Sequence, residues 1–489
     1  MLNKILWNKY NGDKLKTPSR NNSFFYVNLL IITALSAMLR VLNCDESSLW
    51  SDELYTMLTV HPDNSLKDVL ILQINDNQPP MYMVILKSFF SLLPYNEYGG
   101  KFFSITLSVV SIFAIGVCNC QLFGPQTGLL SAFLLGFSTT QIEHSFEVRF
   151  YSLVVFCSVV IFYFFLRKRK NEMAEITWGD TFWFSVFLGF AVLTHYFFVF
   201  LLIALGISDV YNLWKSKIKS FSIYLKWLLP YFVSLVVLIL WILIVAIYKT
   251  QVSTGYWLKQ IDIFSFIFYP FGNSAIIFLS LFGVIICSLK FNWFNDRTRI
   301  VFFIICFYNL SIFIFSYLKF PICVPRYSLV LSPFLITFLA INLLMLSKKN
   351  IFFSAMSLLF VTIFCVESLH YSMGPISMRA KEPWREMAQF ILKQRDYRST
   401  PIISFGYMLK DKFTINYYLP KLKIINFGYM DSNVAAMDSF YLIQTNGHDK
   451  LCERDSQKLN QFFVVETLRF GFEKYGKGGS VSKFRKINP

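Results

Sequence analysis

The chain has 489 residues, of which 55% are hydrophobic and only 15% are charged. A soluble globular protein carries roughly 25% charged residues, so the composition excludes an aqueous location for most of the length. The net charge of +17 would suit a nucleic-acid-binding protein. However, Lys and Arg concentrate in short connectors between apolar runs, where they set membrane topology. We therefore predict an integral membrane protein with membrane lipids as neighbours and no nucleic-acid partner.

Eleven apolar runs approach the length of about 20 residues that a helix needs to cross a bilayer. They occupy 24–42, 102–122, 127–142, 150–166, 181–194, 196–213, 224–247, 273–289, 300–317, 327–346 and 351–368. Thr194-His195-Tyr196 interrupts the stretch 181–213, which we interpret as two short spans joined at that point. The pattern predicts an α-helical, polytopic membrane protein with about eleven transmembrane helices.

Basic residues alternate between the connectors. They are frequent in the tail 1–23 and in every second connector after it, and sparse in the others. Because Lys and Arg favour cytoplasmic loops, the tail is predicted to be cytoplasmic. The segments predicted to lie on the far side are 43–101, 143–149, the break near 195, 248–272, 318–326 and 369–489. This describes a multi-pass protein of the inner (plasma) membrane with an external, periplasmic C-terminal domain.

The chain divides into three parts by composition. A cytoplasmic tail, 1–23, precedes a transmembrane module, 24–368, that carries the long external loop 43–101. Residues 369–489 are polar, with short β-like runs at 401–405 and 440–443 and helical spacing over 384–394. They predict a small external α/β domain. The last dozen residues, rich in Gly, Lys and Ser, are expected to form a loose tail.

The first external loop carries an acidic pair beside aromatic and apolar residues. Asp52 and Glu53 stand next to Trp50, Leu54 and Tyr55, which predicts a short amphipathic helix at the membrane surface. Two adjacent carboxylates can take a proton from an attacking hydroxyl or bind a divalent cation. The structural alternative is a solvated acidic face with an aromatic anchor at the interface.

The second external loop carries further titratable groups. Glu143, Glu147 and Tyr151 are spaced by four and would share one face of a helix. His144 and Arg149 add a titratable ring and a phosphate-binding guanidinium. The structural alternative is an ion pair at a helix end, either Glu147 with Arg149 or Glu143 with His144.

Two further positions lie on the predicted external side. His195 and Tyr196 fall at the break between two short spans, where a structural histidine is the alternative. Arg326 stands at the external entry to a span, either as an interfacial anchor or as a clamp for a phosphate at headgroup depth. The sequence contains no Walker A, GxGxxG, HExxH or GxSxG motif, which argues against a motor ATPase, a dinucleotide enzyme or a zinc protease.

Five short motifs occur in a familiar order along 24–390: SLWSDE (48–53), NQPPMY (77–82), SFEVRFYSL (145–153), LTHYFFVF (193–200) and VPRYSLVLSPFL (324–335). In this order the chain resembles the bacterial C-type (GT-C) membrane glycosyltransferases. The most similar branch is related to protein O-mannosyltransferases and aminoarabinose transferases.

The resemblance implies an enzyme that transfers a sugar from a polyprenyl-phosphate-linked donor to a lipid, glycan or protein acceptor on the external face, with inversion. Asp52 would be the base, with Glu53 its neighbour and Glu147 a partner acid. Arg149 and Arg326 would bind the donor phosphate, and Tyr151, His195 and Tyr196 would line the cavity. In some members acids of the two loops share a divalent metal cation, which makes Asp52 and Glu147 candidate metal ligands. No other cofactor is implied.

Two other functions compete with this one. A transporter or flippase of lipid-linked oligosaccharide would be expected to carry charged or broken segments in mid-span and an internal repeat. Here the ionisable residues cluster at the external mouths instead. A polymerase or ligase of surface polysaccharide would keep its long catalytic loop late in the chain, whereas the informative loop here is the first.

Overall fold

A computed structural model gives the structure of the protein. It describes residues 21–44, 48–170, 176–216, 220–249, 263–272, 296–319, 321–373, 382–394, 398–405, 417–420, 422, 424–426, 437–445, 459, 462–472 and 477–487. The predicted span 273–289 and most of the predicted N-terminal tail lie outside the described residues.

The described part of the transmembrane module is helical. Its α-helices are α1 (Asn21–Asn43), α2 (Ser51–Thr59), α3 (Leu66–Asn75), α4 (Met81–Phe90), α5 (Glu97–Phe123), α6 (Pro125–Phe137), α7 (Thr139–Ser145), α8 (Tyr151–Lys170), α9 (Trp178–Val192), α10 (Phe198–Ser216), α11 (Phe221–Tyr248), α12 (Ile263–Phe268), α13 (Asp296–Leu318), α14 (Ser332–Ser347) and α15 (Ile351–Met373). Two 3₁₀ segments, Tyr269–Phe271 and Pro325–Leu331, follow α12 and precede α14.

Eight helical stretches in the described residues are long and apolar enough to cross a membrane. They are Ser23–Asn43, Glu97–Phe123, Tyr151–Arg169, Phe198–Ser216, Phe221–Tyr248, Arg297–Leu318, Pro325–Ser347 and Ile351–Met373. The predicted runs 127–142 and 181–194 correspond to helices that are shorter than a full span, α6 with 13 residues and α9 with 15. The predicted helical membrane fold with a small C-terminal sheet domain is confirmed.

The third predicted run, 127–142, is not one helix, and its interruption at Ser138 has a specific cause. Helix α6 ends at Phe137, and Ser138 takes an extended backbone conformation before α7 begins. The Ser138 hydroxyl donates to the carbonyl of Pro270 at 2.8 Å, and the Thr140 hydroxyl donates to that of Tyr269 at 2.7 Å. These bonds tie the end of α6 to the 3₁₀ segment near 270, so α7 turns into the site described below.

The basic residues in the last turn of α8 do more than set topology. Lys168 and Arg169 both form ion pairs with Asp209 of α10, which is fully buried. The Tyr231 hydroxyl of α11 donates to the same carboxylate at 2.5 Å. A buried carboxylate needs such partners, since an unpaired one would be strongly destabilising. The cluster joins three helices at the end of the module opposite the candidate site.

The C-terminal domain contains a mixed five-stranded sheet. Its strands are β1 (Ile402–Phe405), β2 (Ile424–Asn426), β3 (Ser439–Thr445), β4 (Phe462–Phe472) and β5 (Lys477–Lys486), in the order β2-β1-β3-β5-β4. Strand β1 pairs in parallel with β2 and β3, and β5 pairs antiparallel with β3 and β4. The helix α16 (Trp384–Lys393) precedes the sheet where the sequence predicts a helix.

The expectation of a loose tail over the last dozen residues is wrong. Residues 477–486 form β5, which lies between β3 and β4 in the sheet. Val481 is buried, and Phe484 packs on Phe440 with ring centroids 5.1 Å apart. The alternating pattern around these two apolar residues is short, and pairing with β3 and β4 supplies the stability that local sequence lacks.

Candidate active site

The short helix α2 presents the acidic pair, as the sequence predicts, but it does not lie at the surface. Glu53, Leu54, Thr56 and Met57 are buried, and no residue of α2 is exposed. The helix is enclosed by the second external loop on one side and by the C-terminal domain on another. The interpretation of a solvated acidic face is therefore wrong for Glu53.

Both carboxylate oxygens of Glu53 accept hydrogen bonds from backbone amides. Oε2 accepts from Trp50 N at 3.1 Å, which closes the first turn of α2. Oε1 accepts from Val148 N at 2.7 Å, in the second external loop. A hydrogen bond to a charged group contributes about 1.5–3 kcal/mol. Glu53 therefore holds the two external loops together through both of its carboxylate oxygens.

Asp52, the other member of the pair, faces Arg149. The Asp52 side chain is 26% exposed, and its Oδ2 lies 3.7 Å from Nη2 of Arg149, whose side chain is 8% exposed. Arg149 Nη1 also donates to the Asp52 carbonyl at 3.3 Å and to the Thr56 hydroxyl at 3.2 Å. Burial is the largest influence and opposes the charge on Arg149. Asp52, Tyr151 and Asp76 together outweigh it and raise the pKa of Arg149 above its usual value. Arg149 therefore stays cationic and holds α2 against the second loop.

The second external loop is not one continuous helix. Helix α7 ends at Ser145 and α8 begins at Tyr151, so the prediction that Glu143, Glu147 and Tyr151 share a helical face is wrong. The amide of Val148 is bonded to Glu53 instead of a carbonyl one turn back, which keeps the segment out of the helix. The loop conformation is set by a contact 95 residues away in sequence.

Glu147 pairs with His144, which is neither of the two ion pairs expected as alternatives. Glu147 Oε2 lies 3.0 Å from His144 Nδ1, and both side chains are buried. His144 Nε2 lies 2.8 Å from the Tyr269 hydroxyl, which comes from the 3₁₀ segment after α12. The chain Glu147–His144–Tyr269 connects the second loop to the connector 248–272, which is predicted to be external. Sequence reasoning missed Tyr269, and its place in a short aromatic run with Pro270, before Gly272, was the only signal.

Arg326 lies among aromatic rings. Its guanidinium carbon is 5.6 Å from the ring centroid of Trp50 and 6.0 Å from those of Tyr151 and Tyr327. Within the described residues it makes no hydrogen bond or ion pair, and its buried Nε has no acceptor. A cation held by ring faces keeps its hydrogen-bond donors for a ligand.

His195 lies in the connector between α9 and α10 and is buried. Its ring is 4.7 Å from those of both Phe150 and Tyr327, measured between centroids. Nδ1 accepts a weak hydrogen bond from Phe197 N at 3.3 Å, whereas Nε2 is buried without a partner among the described residues. Burial, together with the cations Arg149 and Arg326, lowers the pKa of His195 to about 3. His195 is therefore a neutral ring, not an acid–base group, at ordinary pH.

This depressed pKa predicts an acid-sensitive stability. The unfolded chain protonates a histidine below about pH 6.5, while folded His195 stays neutral down to about pH 3. Between these values the unfolded state binds more protons, so stability decreases as pH falls. The wild-type protein is expected to lose about 2 kcal/mol of its free energy of unfolding between pH 7 and pH 5 through His195, and His195→Phe should remove this loss. Thermal unfolding of the detergent-solubilised protein at pH 7 and pH 5 measures this difference in stability.

The matched control is His370→Phe, which replaces an exposed histidine near the end of α15. This control is expected to retain the pH dependence of the wild-type protein. An equal pH dependence in His195→Phe and the wild type would contradict the assignment of a neutral buried ring.

Tyr151 and Tyr196 differ in their surroundings. Tyr151 is buried next to His144, with ring centroids 4.5 Å apart, and borders a cavity of about 10 Å³. This cavity is at the lower limit for one water molecule. The Tyr196 hydroxyl instead accepts a hydrogen bond from Trp241 Nε1 of α11 at 3.0 Å. The structure thus places Tyr151 beside Arg326 and His144, and joins Tyr196 to a membrane helix.

The donor set does not match a divalent cation shared by Asp52 and Glu147. Nowhere in the described ranges do three His, Cys, Asp or Glu side chains come together as a metal site would require. The carboxylate of Asp52 faces a guanidinium, and that of Glu147 faces His144. The metal therefore remains a prediction from the resemblance alone, and no step below depends on it.

Comparison with known proteins gives a family match over about a third of the chain. Residues 77–245 match the family model of the dolichyl-phosphate-mannose-protein mannosyltransferases. Comparison with curated protein sequences finds no match.

Solved structures share the fold over nearly the whole length. ArnT from Cupriavidus metallidurans in the apo state is 12% identical, with a TM-score of 0.58, over 95% of this chain and 98% of ArnT. The same protein bound to undecaprenyl phosphate is 14% identical, with a TM-score of 0.56, over 93% of this chain and 97% of ArnT.

The fold and the partial family match together support one class of protein, the GT-C membrane glycosyltransferases. The chain shares the fold of ArnT over nearly its whole length. The resemblance inferred from the five motifs is confirmed at this level.

Proposed function

We propose that the protein transfers a sugar from a polyprenyl-phosphate-linked donor to an acceptor on the external face of the membrane. The acceptor is a lipid, a glycan or a protein carrying a nucleophilic hydroxyl or amine. The main support is that Asp52, a partly exposed carboxylate, shares a site with Arg326, a cation that makes no ion pair within the described residues. A base for the acceptor and a cation for a phosphate are the two groups that the reaction needs.

In the proposed reaction Asp52 takes the proton of the acceptor. The acceptor atom forms its bond to the anomeric carbon as the bond from that carbon to the phosphate oxygen breaks. Polyprenyl phosphate leaves with the electron pair, and attack from the opposite side inverts the configuration. Asp52 suits the base better than Glu53, because Glu53 Oε1 and Oε2 already accept backbone hydrogen bonds.

The two arginines suit different tasks. Arg149 is bonded to Asp52 and Thr56, which favours a role in orienting the base. Arg326 keeps its donors available, which favours binding of the leaving phosphate. In an inverting displacement the base and the leaving group lie on opposite sides of the anomeric carbon, so two separate cations fit the geometry.

The aromatic and acid–base groups around the arginines complete the proposal. Tyr151, with Trp50, flanks Arg326 and would exclude water from the phosphate. The pair Glu147–His144 would hold the second loop in place or share a proton at the site. His195 fills the space between Phe150 and Tyr327, and Tyr196, hydrogen-bonded to Trp241, would line the space that receives the donor.

The test is mass spectrometry of envelope lipids, glycans and proteins from a strain that lacks the protein. We expect one sugar to be missing from a single acceptor class and to return when the wild-type chain is expressed. An unchanged set of sugars in the deletion strain would contradict the proposal. A transporter would instead change the amount of several lipid-linked products without removing one specific linkage.

A further inference from the structure

The N-terminus of α2, next to Asp52, is bonded to a carboxylate 331 residues away in sequence. Oε2 of Glu382 accepts from the backbone N of Ser51 at 3.0 Å and from the Ser51 hydroxyl at 2.5 Å. The Ser48 hydroxyl donates to the carbonyl of Glu382 at 2.5 Å. Glu382 belongs to the segment that leads into the C-terminal domain.

Helix α2 lacks an ordinary N-cap side chain. An N-cap residue is usually Ser, Thr, Asp or Asn, whose side chain accepts an amide hydrogen of the first turn. The residue at this position is Trp50, which has no acceptor. The carboxylate of Glu382 takes over this function and also places a negative charge at the positive end of the helix dipole.

Glu382 itself is held rigidly. The indole Nε1 of Trp384 donates to its Oε2 at 2.6 Å, and Trp384 is only 1% exposed. Trp384, Met387 and Ile391 of α16 are packed into the same hydrophobic core as the membrane helices. The carboxylate is thus fixed by the core of the module and not by a mobile surface segment.

A second contact between the same parts of the chain lies nearby. The Tyr418 hydroxyl accepts from Leu49 N at 3.1 Å and donates to Glu97 at 2.9 Å. Glu97 is buried and also pairs with Lys101 at 2.7 Å and with Arg385 at 3.4 Å. The segment 48–51 is therefore held by Glu382 and by Tyr418, both from the C-terminal part of the chain.

We propose that the C-terminal domain fixes the position of the candidate base Asp52 through Glu382, which is a positioning residue and does not contact the substrate. The expected effect of Glu382 on sugar transfer rests on the proposed function. The capping of α2 by Glu382 is inferred from the hydrogen bonds alone and does not depend on that function. Loss of the cap would let the first turn of α2, which carries Asp52, move away from Arg149.

The first experiment measures the cap without any sugar transfer. Hydrogen–deuterium exchange of the amides of residues 51–56 is followed in the full-length protein in detergent. Glu382→Ala is expected to accelerate exchange by about tenfold or more, as for loss of a hydrogen bond to a charged group. Glu382→Gln keeps the size and one acceptor oxygen, so it is expected to fold and to show an intermediate rate.

The matched control is Glu466→Gln, which neutralises an exposed acid on β4 of the same domain. It is expected to exchange at the wild-type rate. Unchanged exchange over 51–56 in Glu382→Ala would overturn the inference.

The second experiment separates positioning from general damage. Sugar transfer is measured in the complemented deletion strain, per amount of protein, and binding of undecaprenyl phosphate is measured on the purified variants. We expect Glu382→Ala to lower transfer about tenfold or more with less than a twofold change in binding. Normal transfer despite faster exchange, or a loss of binding equal to the loss of transfer, would overturn the positioning role. Absence of transfer by the wild type would refute the proposed function, while the exchange result would still decide the cap.

Discussion

Replacing Asp52 with Asn is expected to abolish sugar transfer while the protein still inserts and is purified at normal yield. The substitution keeps the size of the side chain and removes the charge that accepts a proton. Removal of a general base typically lowers a rate by about 10²–10⁴-fold. The fold should tolerate the change, because the Asp52 side chain is partly exposed and its Oδ2 lies 3.7 Å from Arg149. Complementation of the deletion strain, with glycan analysis by mass spectrometry, measures the effect.

The control for this experiment is Asp63→Asn in the same external loop. The Asp63 side chain is 89% exposed and lies 3.4 Å from His61, with no contact to Arg149. It is expected to keep wild-type activity. Full activity in Asp52→Asn would rule out Asp52 as the base and would also remove the reason for a positioning role of Glu382.

The sequence predicts the membrane fold well, because a helix that crosses lipid needs a long apolar run, and such runs can be identified directly in the sequence. Ten of the eleven predicted runs coincide with described helices, and the remaining one, 273–289, lies outside the described residues. Three of the segments that the alternation of basic connectors assigns to one side also lie together in the structure. Contacts of Glu53 with Val148, and of Ser51 with Glu382, bring the first loop, the second loop and the C-terminal domain to one end of the module. That this end faces the periplasm remains a prediction.

The site is predicted less completely, because its geometry depends on contacts between distant residues. Asp52 and Glu53 are adjacent and chemically alike, so local sequence cannot tell them apart. The hydrogen bond from the distant amide of Val148 to Glu53 is the contact that distinguishes the two. The same amide keeps Glu147 out of a helix, against the spacing of four that predicts one. Strand β5 was missed for a related reason, since its partners β3 and β4 define it.

Replacing Arg326 with Ala is expected to weaken the binding of undecaprenyl phosphate by about 10- to 150-fold, the value of one charge-assisted contact to a phosphate. Arg326 is the better candidate for this contact than Arg149, because Arg149 is already paired with Asp52. Arg149→Ala should therefore lower sugar transfer more than it lowers binding. Arg326→Lys is expected to give intermediate affinity, because Lys keeps the charge but loses the planar, bidentate geometry. Direct binding of radiolabelled undecaprenyl phosphate to the three purified variants measures the affinities, and glycan analysis of the complemented deletion strain measures sugar transfer.

The control is Lys319→Ala, which removes an exposed cation from the predicted external connector that also contains Arg326. A general loss of positive charge near the headgroups would weaken binding in this variant as well, and increasingly so at low salt. We expect Lys319→Ala to bind as the wild type does at physiological salt, while Arg326→Ala does not. Equal affinity of Arg326→Ala and the wild type would contradict the phosphate contact. Weaker binding of undecaprenyl phosphate in Arg149→Ala alone would instead assign the phosphate contact to Arg149. Arg149 would then not serve only to orient Asp52.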